Sequence, residues 1–138
     1  MSSPNIVFIP VSDNAAKLKA ICDIANSQFQ AEKTLLIMVP NAQAAAYVDS
    51  LLWKSPEESF LPHLITDNRT GERCVITTSQ VNVNKAAVVL NLCPEACPIF
   101  SEFETVFELW DETHPTKTEQ SAQRKAAYAA LTQSSSPR

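Results

Sequence analysis

The sequence predicts an α/β fold with a mostly parallel central sheet, and three observations carry that expectation. Short apolar runs of strand length alternate along the chain with longer segments of helical periodicity, the pattern of strands joined by crossover helices. Two of those runs, residues 35–39 (LLIMV) and 86–92 (AAVVLNL), are nearly continuously apolar, as strands covered on both faces are. The third observation is what the sheet lacks. With Gly71 as the single glycine, neither a Walker loop nor a dinucleotide loop can form, because both need several glycines to turn tightly and approach phosphate.

Taken in order, residues 5–10 (NIVFIP) combine β-branched and aromatic side chains and are expected to form a buried first strand. Ser12, Asp13 and Asn14 offer caps for a helix over 15–31. There Leu18, Ile21, Ala25 and Phe29 recur on one face, while Lys17, Lys19 and Asp23 fall largely elsewhere. Residues 35–39 give the second strand. After Pro40, Asn41 is the expected cap of a helix over 42–53 whose inner stripe is Tyr47, Val48, Leu51 and Leu52. Pro56 and Pro62 then bracket a surface loop, since each removes a backbone donor and pushes its predecessor out of helical geometry.

Residues 63–66 and 74–78 (CVITT) flank a turn over Asp67, Asn68, Arg69, Thr70 and Gly71, and are expected to pair as an antiparallel hairpin. Residues 79–85 read as polar and exposed, and 86–92 as a further buried strand. Pro94 and Pro98 break the chain before a short helix over 99–103 and a last strand over 105–110 (TVFELW), with Val106 and Phe107 near the core. Beyond Pro115, Thr116 and Glu119 have the spacing of a capping box and open a final helix to about residue 131. The expected organisation is one domain over 1–132 and a flexible tail over 133–138.

Composition narrows the function classes. A chain of 138 residues, 45% hydrophobic and 19% charged, suffices for one core without disulfides. Its net charge of −4 provides no global positive field, so direct nucleic-acid binding is not expected. No apolar stretch reaches the roughly 18 residues of a membrane helix, and residues 6–11 are too few for a signal-peptide core. Cys22, Cys74, Cys93 and Cys97 form no framework, which suits a reducing compartment and a cytoplasmic location.

Few residues suggest chemistry. Cys93 and Cys97 stand in CPEAC with no second Cys or His pair nearby, so no metal and no cofactor are expected. His63 and His114 each adjoin a proline and lack a nucleophile or carboxylate at motif spacing. A dyad assembled in three dimensions would support an alternative function, a small hydrolase or transferase working at the carboxyl ends of the strands. The acidic stretch Glu102, Glu104, Glu108, Asp111 and Glu112 has the composition of a metal site, but a solvated strand edge explains it more simply. On the final helix Lys117, Arg124 and Tyr128 share a narrow sector with Lys125 further round. Such a basic and aromatic face suits a carboxylate-bearing peptide end; the plainer reading is a solvated flank.

The loop after the second helix carries Trp53, Phe60, Leu61 and Pro62. Loops with apolar cargo serve recognition when a scaffold holds them, although Phe60 folded back onto the core is the commoner arrangement. The run Leu52-Trp53, Pro56, Glu58-Ser59-Phe60 and Pro62-His63 resembles, residue for residue at fixed spacing, the chi subunit family of the bacterial DNA polymerase III holoenzyme. Residues 6–9, 86–92 and 100–107 and the pair Arg124 and Tyr128 extend the resemblance over roughly residues 5–131, most weakly between 64 and 85.

The resemblance implies a Rossmann-like three-layer fold without nucleotide chemistry, and a non-catalytic protein, monomeric alone. It implies two partners: the psi subunit, which attaches the family to the clamp loader, and the acidic C-terminal tail of single-stranded DNA-binding protein. Phe60 matches a family aromatic at the psi interface, and Trp53 a surface tryptophan implicated in partner binding. For the tail, Lys117, Arg124, Lys125 and Tyr128 are the implied residues, but family positions for Arg, Tyr and Lys fall on Ala122, Lys125 and Ala126. Tail binding is therefore weakened, rearranged onto Lys117, Arg124 and Lys125, or lost. A chi-derived adaptor with changed partners is the remaining alternative.

Overall fold

In the computed structural model, which describes residues 4–54 and 62–134, the strands and helices alternate as their patterns require. The order is β1 (Asn5–Val11), α1 (Asn14–Gln30), β2 (Leu35–Met38), α2 (Ala42–Lys54), β3 (Leu64–Ile65), β4 (Cys74–Thr77), β5 (Val88–Asn91), a 3₁₀ turn at Phe100–Glu102, β6 (Thr105–Asp111) and α3 (Pro115–Ser134). The six strands form one sheet in the order β1-β6-β5-β2-β4-β3, and every neighbouring pair is parallel. All strand carboxyl ends therefore lie at one end of the sheet.

The expected hairpin is overturned: Leu64 pairs with Val75 and Ile65 with Ile76 in parallel register. Thr66 continues that ladder, its N–H 3.1 Å from the Ile76 carbonyl. Asp67 then accepts from the Thr77 hydroxyl at 2.7 Å and the Thr78 N–H at 2.9 Å. The chain thus passes alongside β4 in the same direction before residues 68–73 carry it back. β1 also differs from expectation, because it is an edge strand, half-buried and paired only with β6. Its Pro10 is tolerated there because an edge leaves one side of the ladder open.

Side chains alternate between two cores. Leu35, Ile37, Cys74, Ile76, Val88 and Leu90 pack on one face with Ile21, Ala25, Val48 and Leu52 of α1 and α2. Leu36, Met38, Val75, Val89 and Val106 face the other side, where Tyr128 of α3 packs with Val83, Ala86, Cys97 and Phe103. The three-layer architecture follows, with α1 and α2 on one face and α3 on the other. Residues 79–85 are less exposed than their polarity suggests. Val83 is buried, and Asn84 is anchored by bonds of 3.1 Å from Nδ2 to the carbonyls of Leu35 and Glu72.

Helix starts follow side-chain chemistry. Asp13 caps α1 by accepting from the Ala16 N–H at 2.7 Å, and Asn41 caps α2 by accepting from Ala44 at 2.8 Å. The capping box expected at Thr116 does not form. Pro115 occupies the first helical position, where its missing N–H costs nothing, and His114 Nδ1 accepts from the Thr116 N–H at 3.1 Å. The inner face of α2 is Ala45, Val48 and Leu52, which turns Tyr47 outward, 54% exposed.

Candidate functional site

The site is built where β6 outlasts its neighbour. β5 ends at Asn91, opposite Glu108, while β6 continues to Asp111. The Leu109 carbonyl and the Asp111 N–H on that side therefore have no strand to bond, and α3 replaces it. Ser121 Oγ accepts from the Asp111 N–H at 2.9 Å and lies 3.2 Å from the Leu109 carbonyl, which also accepts from Arg124 Nη2 at 2.9 Å.

All three guanidinium nitrogens of Arg124 are engaged. Its Nε donates to Glu108 Oε1 at 2.8 Å, Nη1 to the Pro94 carbonyl at 3.1 Å, and Nη2 also to Ser121 Oγ at 3.1 Å. Glu108, with no exposed surface, accepts at its second oxygen from Asn91 Nδ2 at 2.7 Å and from the Tyr128 hydroxyl. The phenol oxygen in turn accepts from the Cys97 N–H at 2.8 Å. Burial pushes the Glu108 carboxyl above its ordinary range, opposed by the hydrogen bonds of Tyr128 and Asn91 and by Arg124. Burial and the Glu108 charge push the Tyr128 phenol up.

These contacts place the four residues expected on the last helix. Arg124 and Tyr128 share a sector, but it faces the sheet, and both are buried. Lys117 and Lys125 are exposed, Lys125 with its Nζ 5.8 Å from the centre of the Trp110 ring. The acidic stretch is likewise not a solvated edge at its centre. β6 is paired on both sides, Glu108 is bonded by Arg124, and Asp111 lies 2.8 Å from Lys17 Nζ on α1. Burial would raise the Asp111 carboxyl, yet hydrogen bonds from Lys17 and Thr113 and the Lys17 charge hold it down at about 2.

At the carboxyl ends of β2, β5 and β6 lies a crevice of about 590 Å³. Asn14 and Lys17 of α1, Asn41 and Tyr47 at α2, Asn91 at the end of β5 and Cys93 just after it, and Lys117 and Arg124 of α3 are among its walls. Neither histidine lines it. Among the described residues no group of three or more His, Cys, Asp or Glu side chains is arranged to hold a metal ion. Burial pushes the Cys93 thiol up to about 11 and the Cys97 thiol up to about 12, away from the thiolate form that reacts or ligates.

The aromatic corner stands at the opposite end of the sheet. Trp53, on the last turn of α2, is 54% exposed. Its ring centre lies 4.5 Å from that of His63, and His63 Nε2 is 3.0 Å from Asp49 Oδ1. Sequence spacing gave no signal for this partner, because Asp49 and His63 meet only when α2 and the approach to β3 come together. Pro62 is exposed beside them, and Leu64 and Ile65 of the edge strand are both partly exposed. Phe60 and Leu61 lie outside the described residues.

Comparison with known families gives one finding. Residues 4–135 match the sequence profile of the DNA polymerase III chi subunit, HolC. No curated protein matches the chain closely enough to be counted a relative.

Proposed function

The chain belongs to the DNA polymerase III chi subunit family, whose place is in the replicative polymerase complex, and from that premise we propose that it is a non-catalytic cytoplasmic bridge. One end binds the psi subunit of the clamp loader, and the other binds the acidic C-terminal tail of single-stranded DNA-binding protein. It contacts no nucleic acid directly and needs no cofactor.

The observation that carries this reading is Trp53. A tryptophan more than half exposed and packed against His63, with exposed Pro62, Leu64 and Ile65 on either side of that histidine in the chain, has the character of an interface anchor. Phe60 and Leu61 follow it in sequence and complete the psi-binding set with Trp53 and Pro62. The tail set is Lys117, Arg124, Lys125 and Tyr128 with a division of labour. Lys117 and Lys125 present charge to the peptide, while Arg124 and Tyr128 fix the helix that carries them. The hydrolase alternative receives no support, since His114 caps a helix and His63 packs at a tilt against Trp53, neither of them lining the crevice.

The test is co-purification with psi. Trp53→Ala and Phe60→Ala each abolish it while circular dichroism shows the fold unchanged; co-purification at wild-type level in both variants overturns the assignment. Binding of an acidic, aromatic-ended peptide falls with added salt and with Lys117→Ala and Lys125→Ala.

A further inference from the structure

The crevice at the carboxyl ends of the strands shares Lys117 and Arg124 with the proposed tail set, but Lys125 and Tyr128 do not line it and its walls on α1 and α2 belong to neither partner set. Open parallel sheets place ligands there because the helices that follow the strands all begin at that end, and their first turns present partial positive charge. Here the N-terminal turns of α1, α2 and α3 all contribute walls, through Asn14 and Lys17, Asn41, and Lys117. The volume of about 590 Å³ falls within the range of small-molecule sites.

The charges are sorted by their partners. Lys17 is bound to Asp111, and Arg124 to Glu108, so both wall cations are neutralised locally. Lys117 has no carboxylate partner among the described residues and lines the crevice. Across from it Tyr47, turned out of the α2 core, offers a ring to the same space. We propose that this crevice binds a small organic anion in which a carboxylate or phosphate is joined to a flat ring. Lys117 takes the anionic group, Asn14 and Asn41 supply polar contacts, and Tyr47 packs the ring. No glycine loop is required, because side chains rather than close-packed backbone meet the charge.

Two-dimensional NMR titration of the full chain tests this with four probes: a nucleoside monophosphate, an N-acetylated aromatic amino acid, the uncharged nucleoside and inorganic phosphate. At least one ring-bearing anion gives saturable shifts at Asn14, Asn41, Tyr47 and Lys117 with Kd at or below about 1 mM. Comparison of the first two probes identifies whether phosphate or carboxylate is the source. The nucleoside and inorganic phosphate bind at least about tenfold more weakly, because each carries half of the recognition. Lys117→Glu and Tyr47→Ala each weaken the ring-bearing anion by about tenfold or more, whereas Lys19→Ala, on the outer face of α1, leaves it unchanged. Absence of saturable shifts with both ring-bearing anions, or binding indifferent to Lys117→Glu and Tyr47→Ala, overturns the proposal. Either result leaves the psi assignment, which rests on Trp53 and Phe60, untouched. The tail reading is told apart by Lys125→Ala, outside the crevice, which weakens the acidic peptide but not the ring-bearing anion, and by Tyr47→Ala, which does the reverse.

Discussion

A carboxylate with no exposed surface survives only if both oxygens are bonded, and Glu108 meets that condition through Arg124 at one oxygen and Asn91 and Tyr128 at the other. Removing one member strands the rest. Arg124→Met leaves Glu108 without its counter-charge and the Pro94 and Leu109 carbonyls short of a donor, and is expected to cost about 3–5 kcal/mol in urea unfolding. A cost under about 1 kcal/mol would mean that the pair does not hold α3. For the same reason Lys117→Ala and Lys125→Ala are the informative probes of tail binding, since Arg124→Ala would confound binding with stability. Asp111 adds a pH signature. Its folded carboxyl, held at about 2 against an ordinary value of 3.8, stabilises the fold above the ordinary value. That contribution, about 2 kcal/mol, is lost as pH falls from about 4 through 2, and Lys17→Met should flatten that part of the stability profile. At this scale the sequence was half legible. Helical spacing placed Arg124 and Tyr128 in one sector correctly, but azimuth alone does not say which sector meets the sheet. Because the buried face of α3 is Ser121, Arg124 and Tyr128, apolar periodicity pointed nowhere.

Among the elements, α3 acts as a substitute strand for the exposed end of β6. Ser121 Oγ is the acceptor for the Asp111 N–H, a donor that β5 would have satisfied had it continued past Asn91. Ser121→Ala should therefore cost about 1–3 kcal/mol, the range for a buried group left without its partner. It should also raise hydrogen exchange at the Asp111 amide while protection at Leu90 and Val106 persists locally. Equal loss of protection everywhere would instead mean that α3 and the sheet open as one unit. The existence of each strand and helix was legible, since continuous apolar runs, caps at Asp13 and Asn41, and proline breaks are local signals. The pairing of β3 with β4 was not. A turn-rich link between two short runs is common to hairpins and to tight crossovers, and only the Asp67 contacts to Thr77 and Thr78 distinguish the path taken. Glu32 and Lys85 likewise occupy positive φ, 59° and 49°, while the one glycine does not, so no glycine marked those turns.

For the whole molecule, the sheet sets the geometry of the proposed bridge. Trp53 ends a helix that runs back against the strands and so lies near the amino end of edge strand β3, whereas Lys117 opens α3 beyond the carboxyl end of β6. Between β6 and β3 stand β5, β2 and β4, a lateral separation of about 19 Å at the usual inter-strand spacing, before the diagonal along the strands is added. On the proposed reading the two partner surfaces are therefore separate patches of the chain. The elements between them are parallel ladders with both faces packed, and such elements relay little unless they have two discrete arrangements. Coupling should accordingly be small. Calorimetric titration of the acidic tail peptide should give Kd values that agree within about twofold for the chain alone and for its psi complex, a coupling of less than about 0.5 kcal/mol. A change of about tenfold would mean that the sheet relays one partner's binding to the other or that the two surfaces overlap, and a passive bridge would then be the wrong description.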